Sequence, residues 1–157
     1  MATFRVEVSF DRESVRERTY SGRPIVCPIH LQIRERAFPH QRWDDFAIVI
    51  LAWWAQELIS LEQGYSRHAV LRFMEGPYEV HITPASDGLW CLTGVQRGSA
   101  KEIFREEFLG SDVRVEIIRA SERILGAIER AGFWGEDCES LHAMIECKTR
   151  PGPEDEV

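Results

Sequence analysis

Residues 46–61 limit the possible folds of this chain more than any other segment. They read Phe-Ala-Ile-Val-Ile-Leu-Ala-Trp-Trp-Ala-Gln-Glu-Leu-Ile-Ser-Leu, which is apolar around nearly the whole circumference of a helix. Because such a helix must be covered on more than one side, the pattern predicts a central core helix. Its longest uncharged run, residues 46–56, is eleven residues long and too short to span a membrane.

The segments before and after this helix alternate between apolar and polar residues, as strands with one buried face do. Residues 3–10 and 25–33 predict two strands that pair as a long hairpin, joined by a polar loop over residues 11–23. Residues 69–73, 78–82 and 89–95 predict three more strands, with turns at Gly76-Pro77 and Asp87-Gly88. Evenly spaced strands with such turns indicate an antiparallel meander.

Residues 99–109 fit either a helix or a fourth meander strand, and the Arg97-Gly98 turn favours the strand, with Phe104 and Phe108 inward. A helix capped by Ser111 and ended by Gly132 follows, and a shorter helix covers about residues 138–148. The predicted fold is α+β, in the order β-β-α-β-β-β-β-α-α. It has an antiparallel sheet and its helices on one face. We expect one domain over residues 1–150 and a disordered acidic tail over residues 151–157.

Asp44 and Asp45 precede the central helix. Asp44 is a good N-cap residue, because its carboxylate can accept the unpaired N–H groups of a first turn. Asp45 would then complement the helix dipole. Helix capping therefore explains this acid pair without a catalytic role.

The net charge of −7 is unevenly distributed along the chain. Residues 1–98 carry 12 acids and 11 bases, whereas residues 99–157 carry 14 acids and 8 bases. An acidic chain argues against nucleic acid or an anionic membrane as the partner and suits a basic protein. The predicted acidic contacts of that partner are Glu75, Glu106, Glu107, Glu136 and Asp137.

Two adjacent tryptophans, Trp53 and Trp54, point about 100° apart on the central helix. One can face the sheet, and the other then faces a second helix, a partner or water. Tryptophan is enriched at protein interfaces, so both residues are candidates for partner binding or for the interface of a structural homodimer.

The motifs that identify catalysis are missing from this sequence. It contains no P-loop, dinucleotide-binding glycine fingerprint, Gly-x-Ser-x-Gly or His-Glu-x-x-His, and its four cysteines have no metal or redox spacing. We therefore expect no cofactor, no metal and free thiols in a cytoplasmic protein. The leading interpretation is a non-enzymatic protein-binding domain.

The alternative is a small enzyme or small-molecule binder with its pocket between the sheet and the central helix. The polar lining of that pocket would be Asp44, Asp45, His30, His81 and Tyr78. In this interpretation His30 and His81 meet across the sheet, where they hold a metal ion or exchange protons with a substrate.

Three segments within residues 43–83 carry a resemblance to a known class of proteins: Trp43-Asp44-Asp45-Phe46, Trp53-Trp54 and residues 73–78. In their residue types and order, these segments resemble small bacterial immunity proteins of polymorphic toxin systems. The resemblance implies a cytosolic, acidic α+β protein that neutralises a basic toxin by tight binding, without catalysis.

Overall fold

The computed structural model describes residues 3–10, 25–99 and 101–146. It confirms the α+β class, with antiparallel strands that form two open sheets. The strands of the described ranges are β1 (Phe4–Val8), β2 (Cys27–Ile33), β3 (Arg36–Phe38), β4 (Asp44–Asp45), β5 (Ala69–Arg72), β6 (Tyr78–Pro84), β7 (Leu89–Gln96) and β8 (Glu102–Leu109). The helices are α1 (Ala47–Glu62), α2 (Gly110–Ala131) and α3 (Glu136–Glu146).

The first sheet is built around β2. The predicted β1–β2 pairing is confirmed, with Phe4 opposite Ile33 and Val8 opposite Ile29. β3 and β4 also pair with β2 and were not predicted, because two or three residues are too few to show a period. The loop predicted over residues 11–23 and the tail predicted over residues 151–157 lie outside the described residues.

The second sheet has the order β5-β6-β7-β8, which confirms the meander. Residues 102–109 form its fourth strand, with Phe104 and Phe108 buried as predicted. The pairing of β7 with β8 shifts register at Gly94, where the ring of Phe104 lies against the glycine backbone. A side chain at position 94 would occupy the space of that ring, so glycine is required by packing.

The central helix α1 packs against β5, α2 and α3, which confirms its predicted position in the core. The apolar face of α2 is buried at the predicted positions, which are Val113, Ile117, Ala120, Ile124 and Ile128. Gly132 ends α2 in the left-handed conformation, and the N–H of Phe133 donates to the carbonyl of Ile128 over 3.1 Å. α3 begins two residues earlier than predicted and buries Cys138, Leu141 and Ile145.

The two predicted N-caps are wrong. α1 begins at Ala47 with Phe46 at the cap and no capping side chain, because Asp44 and Asp45 are extended and pair with β2. α2 begins at Gly110 directly after β8, so Ser111 already lies inside the helix. The indole of Trp90 lies against Gly110 at this junction and leaves no space for a side chain.

In each sheet, side chains form hydrogen bonds with backbone groups at the open edge of one strand. On β1, the N–H of Val6 donates to Glu116 Oε1 over 3.2 Å, and Arg123 donates to the Val6 carbonyl over 2.9 Å. On β5, the carbonyl of Arg72 accepts a bond from Trp54 Nε1 over 2.9 Å. Helices α2 and α1 therefore satisfy edge groups that would otherwise need water.

Candidate functional site

A groove of about 710 Å³ runs between α2 and α3. Its floor is apolar and consists of Leu125, Gly126 and Ile145, and the half-buried Trp134 lies against it. Four exposed carboxylates and one imidazole complete the lining: Glu122, Glu129, Glu139, Glu146 and His142. We call this feature the α2–α3 groove.

The helical repeat explains why the carboxylates form two walls. Glu122 and Glu129 are seven residues apart on α2, and Glu139 and Glu146 are seven residues apart on α3. Seven residues make two turns, which places each pair on one helix face about 10 Å apart along the axis. Packing of α2 against α3 then sets one pair on either side of an apolar floor.

The α3 wall is held in place by contacts within the groove. Trp134 Nε1 donates to Glu139 Oε1 over 2.7 Å, and His142 Nε2 lies 3.1 Å from Glu146 Oε1. The rings of Trp134 and His142 meet edge to face, with centroids 6.1 Å apart. On the α2 wall, the carboxylates of Glu122 and Glu129 make no hydrogen bond or ion pair to another described residue.

The groove combines an apolar floor with acidic walls. Burial of the floor would stabilise an apolar group, and the carboxylates would attract cations at the rim. Within the described ranges, no group of three or more His, Cys, Asp or Glu side chains is placed to hold a metal ion.

The predicted acidic contacts lie on separate elements and line no part of the groove. Glu75 is in the β5–β6 turn, while Glu106 and Glu107 are consecutive on β8 and so face opposite sides of the sheet. Glu106 is paired with Arg34 over 2.9 Å, so part of its charge is already balanced. Glu136 and Asp137 are exposed in the first turn of α3.

The two tryptophans of α1 have different environments. Trp54 is fully buried, and its ring meets Phe73 edge to face with centroids 5.3 Å apart. Trp53 is 43% exposed and lines a second groove of about 330 Å³ beside β5. Glu57 and Arg72 are charged residues of that groove.

The structure does not bring together the five residues of the alternative pocket. Asp44 is exposed on β4, and Tyr78 packs against Trp43 with ring centroids 5.5 Å apart. His30 lies opposite Glu7 in the first sheet. His81 is in the second sheet, where it contacts His68 and Glu79.

Asp45, the fifth member, has a structural environment. Its carboxylate is completely buried and accepts four N–H bonds, from Trp43 Nε1 and from the backbone of Phe46, Met74 and Glu75. The space between α1 and the second sheet is filled by buried side chains, among them Trp54, Leu58 and Leu71.

None of the five predicted acidic contacts lines the α2–α3 groove. The spacing of Glu122 with Glu129, and of Glu139 with Glu146, was visible as a helical repeat on two predicted helices. Nothing in the sequence indicates that these two faces lie opposite each other, because the angle between α2 and α3 depends on the packing of both against α1.

None of the helices in the described ranges is long and apolar enough to cross a membrane. No family model, no curated protein and no solved structure matches the chain.

Proposed function

We propose that this chain is a non-enzymatic binding protein that holds a basic protein partner in the α2–α3 groove. The observation that carries the proposal is an apolar floor flanked on both sides by carboxylates two helical turns apart. An inhibitor of the immunity type, which neutralises a basic toxin, is the finer form of this proposal.

The groove and the charge distribution point to the same kind of partner. The acidic excess of the chain lies in residues 99–157, which include every groove residue. A negative field over this region raises the rate at which a basic surface meets it, and salt screens that effect. Burial of an apolar side chain on Leu125 and Ile145 slows dissociation, because the buried area must be re-exposed to water.

The partner therefore presents a protruding apolar side chain flanked by lysines or arginines. Each exposed carboxylate contributes about 0.5 kcal/mol to such an interface. Loss of all four should cost about 2 kcal/mol, or roughly 30-fold in Kd.

A substitution on the groove floor separates binding from folding. Gly126 lies inside α2, and a Cβ there would meet only the guanidinium end of Arg130, at 3.2 Å. Gly126→Leu therefore removes a helix-weakening glycine and fills the groove, so the variant should be at least as stable as the wild type. We expect it to lose the partner.

The experiment uses bait protein immobilised in lysate of the native organism, with captured chains cross-linked and mapped by mass spectrometry. The expected result is a basic partner that is cross-linked to α2 and α3, retained by the wild type and lost by Gly126→Leu. The charge test replaces Glu122, Glu129, Glu139 and Glu146 by Gln. Its matched control, Glu75→Gln with Glu107→Gln, Glu136→Gln and Asp137→Asn, removes the same charge outside the groove. Equal weakening by both sets, or undiminished capture by Gly126→Leu, would contradict the proposal.

Self-association is a second candidate function, favoured by the 43% exposure of Trp53 beside the groove at β5. Light scattering over a range of concentrations tests it. A dimer that Trp53→Gln dissociates would support it, and a monomer at all concentrations would exclude it.

A further inference from the structure

His68 and His81 meet edge to edge on the outer face of the second sheet. His68 Nε2 lies 2.8 Å from His81 Nδ1, the ring centroids are 4.9 Å apart and the ring planes differ by 21°. With the facing nitrogens this close and the centroids this far apart, the nitrogens lie near the line that joins the ring centres. The contact therefore runs along the in-plane lone-pair direction of each ring.

Glu79 determines which nitrogen carries a proton. His81 Nε2 lies 2.9 Å from Glu79 Oε1, and a carboxylate accepts, so His81 carries its proton on Nε2. His81 Nδ1 is then left with a lone pair directed at His68, which donates its Nε2 proton to it. Glu79 is only 8% exposed, and its second oxygen, which has no hydrogen bond from a described residue, lies 3.5 Å from Arg72 Nε. This ion pair and the hydrogen bond to His81 hold the carboxylate in place.

A histidine that binds a metal ion commonly donates its other ring N–H to a carboxylate, as His81 does to Glu79, and imidazole nitrogens suit borderline metal ions. We propose that His68 Nε2 and His81 Nδ1 bind a divalent transition metal ion such as Zn²⁺, with Glu79 as the positioning carboxylate. On binding, the proton between the rings leaves His68 Nε2, either for His68 Nδ1 or for water, and both imidazoles coordinate as neutral ligands.

Binding requires the facing nitrogens to move about 0.5 Å apart and each lone pair to turn about 35° away from the line that joins them. Two Zn–N bonds of about 2.0–2.1 Å at a tetrahedral angle place the two nitrogens roughly 3.3 Å apart. His68 can provide this movement because its side chain is exposed at the start of β5. Its backbone is held by Ser66, whose hydroxyl oxygen accepts from the N–H of His68 and donates to its carbonyl.

The described residues supply two ligands and no third, so water or a group from another molecule completes the coordination. Such a site exchanges its metal readily and keeps open positions, unlike a closed structural zinc site.

The test is calorimetric titration of Zn²⁺ alone into the purified chain at neutral pH. A Cys91→Ser, Cys147→Ser background excludes binding to those thiols. We expect one site, weakened at least tenfold by His68→Gln and by His81→Gln, and unchanged by replacement of the exposed His40 with Gln as the matched control. Glu79→Gln should weaken it roughly 10- to 100-fold, as loss of the partner of a metal-bound histidine does.

Imidazole ¹⁵N spectra give the second readout. Zn²⁺ should shift the His68 and His81 nitrogens and leave those of His40 in place, and circular dichroism confirms that each variant is folded. Absence of Zn²⁺ binding in the wild-type background, or binding unaffected by both His68→Gln and His81→Gln, would overturn the proposal.

Discussion

Replacement of Asp45 by alanine tests the part of the fold where the sequence-based prediction was wrong. The buried carboxylate joins the start of α1 to the β5–β6 turn, 29 and 30 residues away along the chain. Its Oδ1 accepts from Phe46 N–H over 2.7 Å, and its Oδ2 accepts from the Trp43 indole and two turn amides at 2.9–3.2 Å. Asp45→Ala removes all four bonds and no large apolar surface.

The magnitude follows from the exposure of the four donors. Met74 and Glu75 are exposed, so water can replace the carboxylate at their amides. Trp43 and Phe46 are half-buried, and each donor left without a partner there costs about 1–3 kcal/mol. The sum predicts a loss of about 2–6 kcal/mol in the free energy of unfolding. Asp45→Asn should cost less, because its amide oxygen can still accept at the Oδ2 position while its NH₂ group opposes the Phe46 N–H.

Urea unfolding followed by tryptophan fluorescence and by far-UV circular dichroism measures these differences. The adjacent Asp44 gives a matched control, since it is exposed and makes no hydrogen bond through its side chain to a described residue. We expect the loss in the free energy of unfolding to be largest for Asp45→Ala, smaller for Asp45→Asn and smallest for Asp44→Ala. The last variant should lie within about 0.5 kcal/mol of the wild type. Equal stability of Asp45→Ala and Asp44→Ala would refute the role given to the carboxylate.

Three further outcomes are expected. Glu116→Ala and Arg123→Ala should each lower the free energy of unfolding in urea by about 1 kcal/mol. Only Glu116→Ala should speed hydrogen exchange at the Val6 amide, and unchanged exchange in both variants would contradict the bond from Val6 to Glu116. Burial lowers the pKa of His30 from 6.5, so the unfolded chain takes up a proton that the folded chain excludes and stability falls below that pH. His30→Gln should therefore lose less stability between pH 7.5 and 5.5 than the wild type, and an equal loss would show that other groups cause it. Burial raises the pKa of the Cys27 thiol to about 12, so iodoacetamide at pH 8 should alkylate half-buried Cys91 before Cys27; rapid labelling of Cys27 in peptide mass spectra would contradict this.

Features that depend on a local repeat could be predicted from the sequence. The spacing of Val113, Ile117 and Ile124 identified the buried face of α2, and the alternation of apolar and polar residues over residues 3–10 identified β1. Both patterns are set by side chains that share one solvent boundary, so each segment reports its own secondary structure.

Features that depend on two distant segments could not be predicted in this way. Asp45 was expected to complement the helix dipole, because its true partners, Met74 and Glu75, follow a long helix and a strand. His81 could be placed on a strand, but its contact with His68 depends on the register of β5 against β6. The α2–α3 groove likewise depends on how two separate helices pack together, which neither helix shows in its own sequence.

The edge bonds of β1 and β5 bear on how this protein resists self-association during its lifetime. Short strands, charged side chains or a covering helix protect many sheet edges. Here single side chains also bond to edge groups: Glu116 and Arg123 to Val6, and Trp54 to Arg72. An exposed strand edge can template the addition of another chain. Loss of the Glu116 or Arg123 side chain would therefore leave part of the β1 edge open to pairing with another chain while the core stays folded.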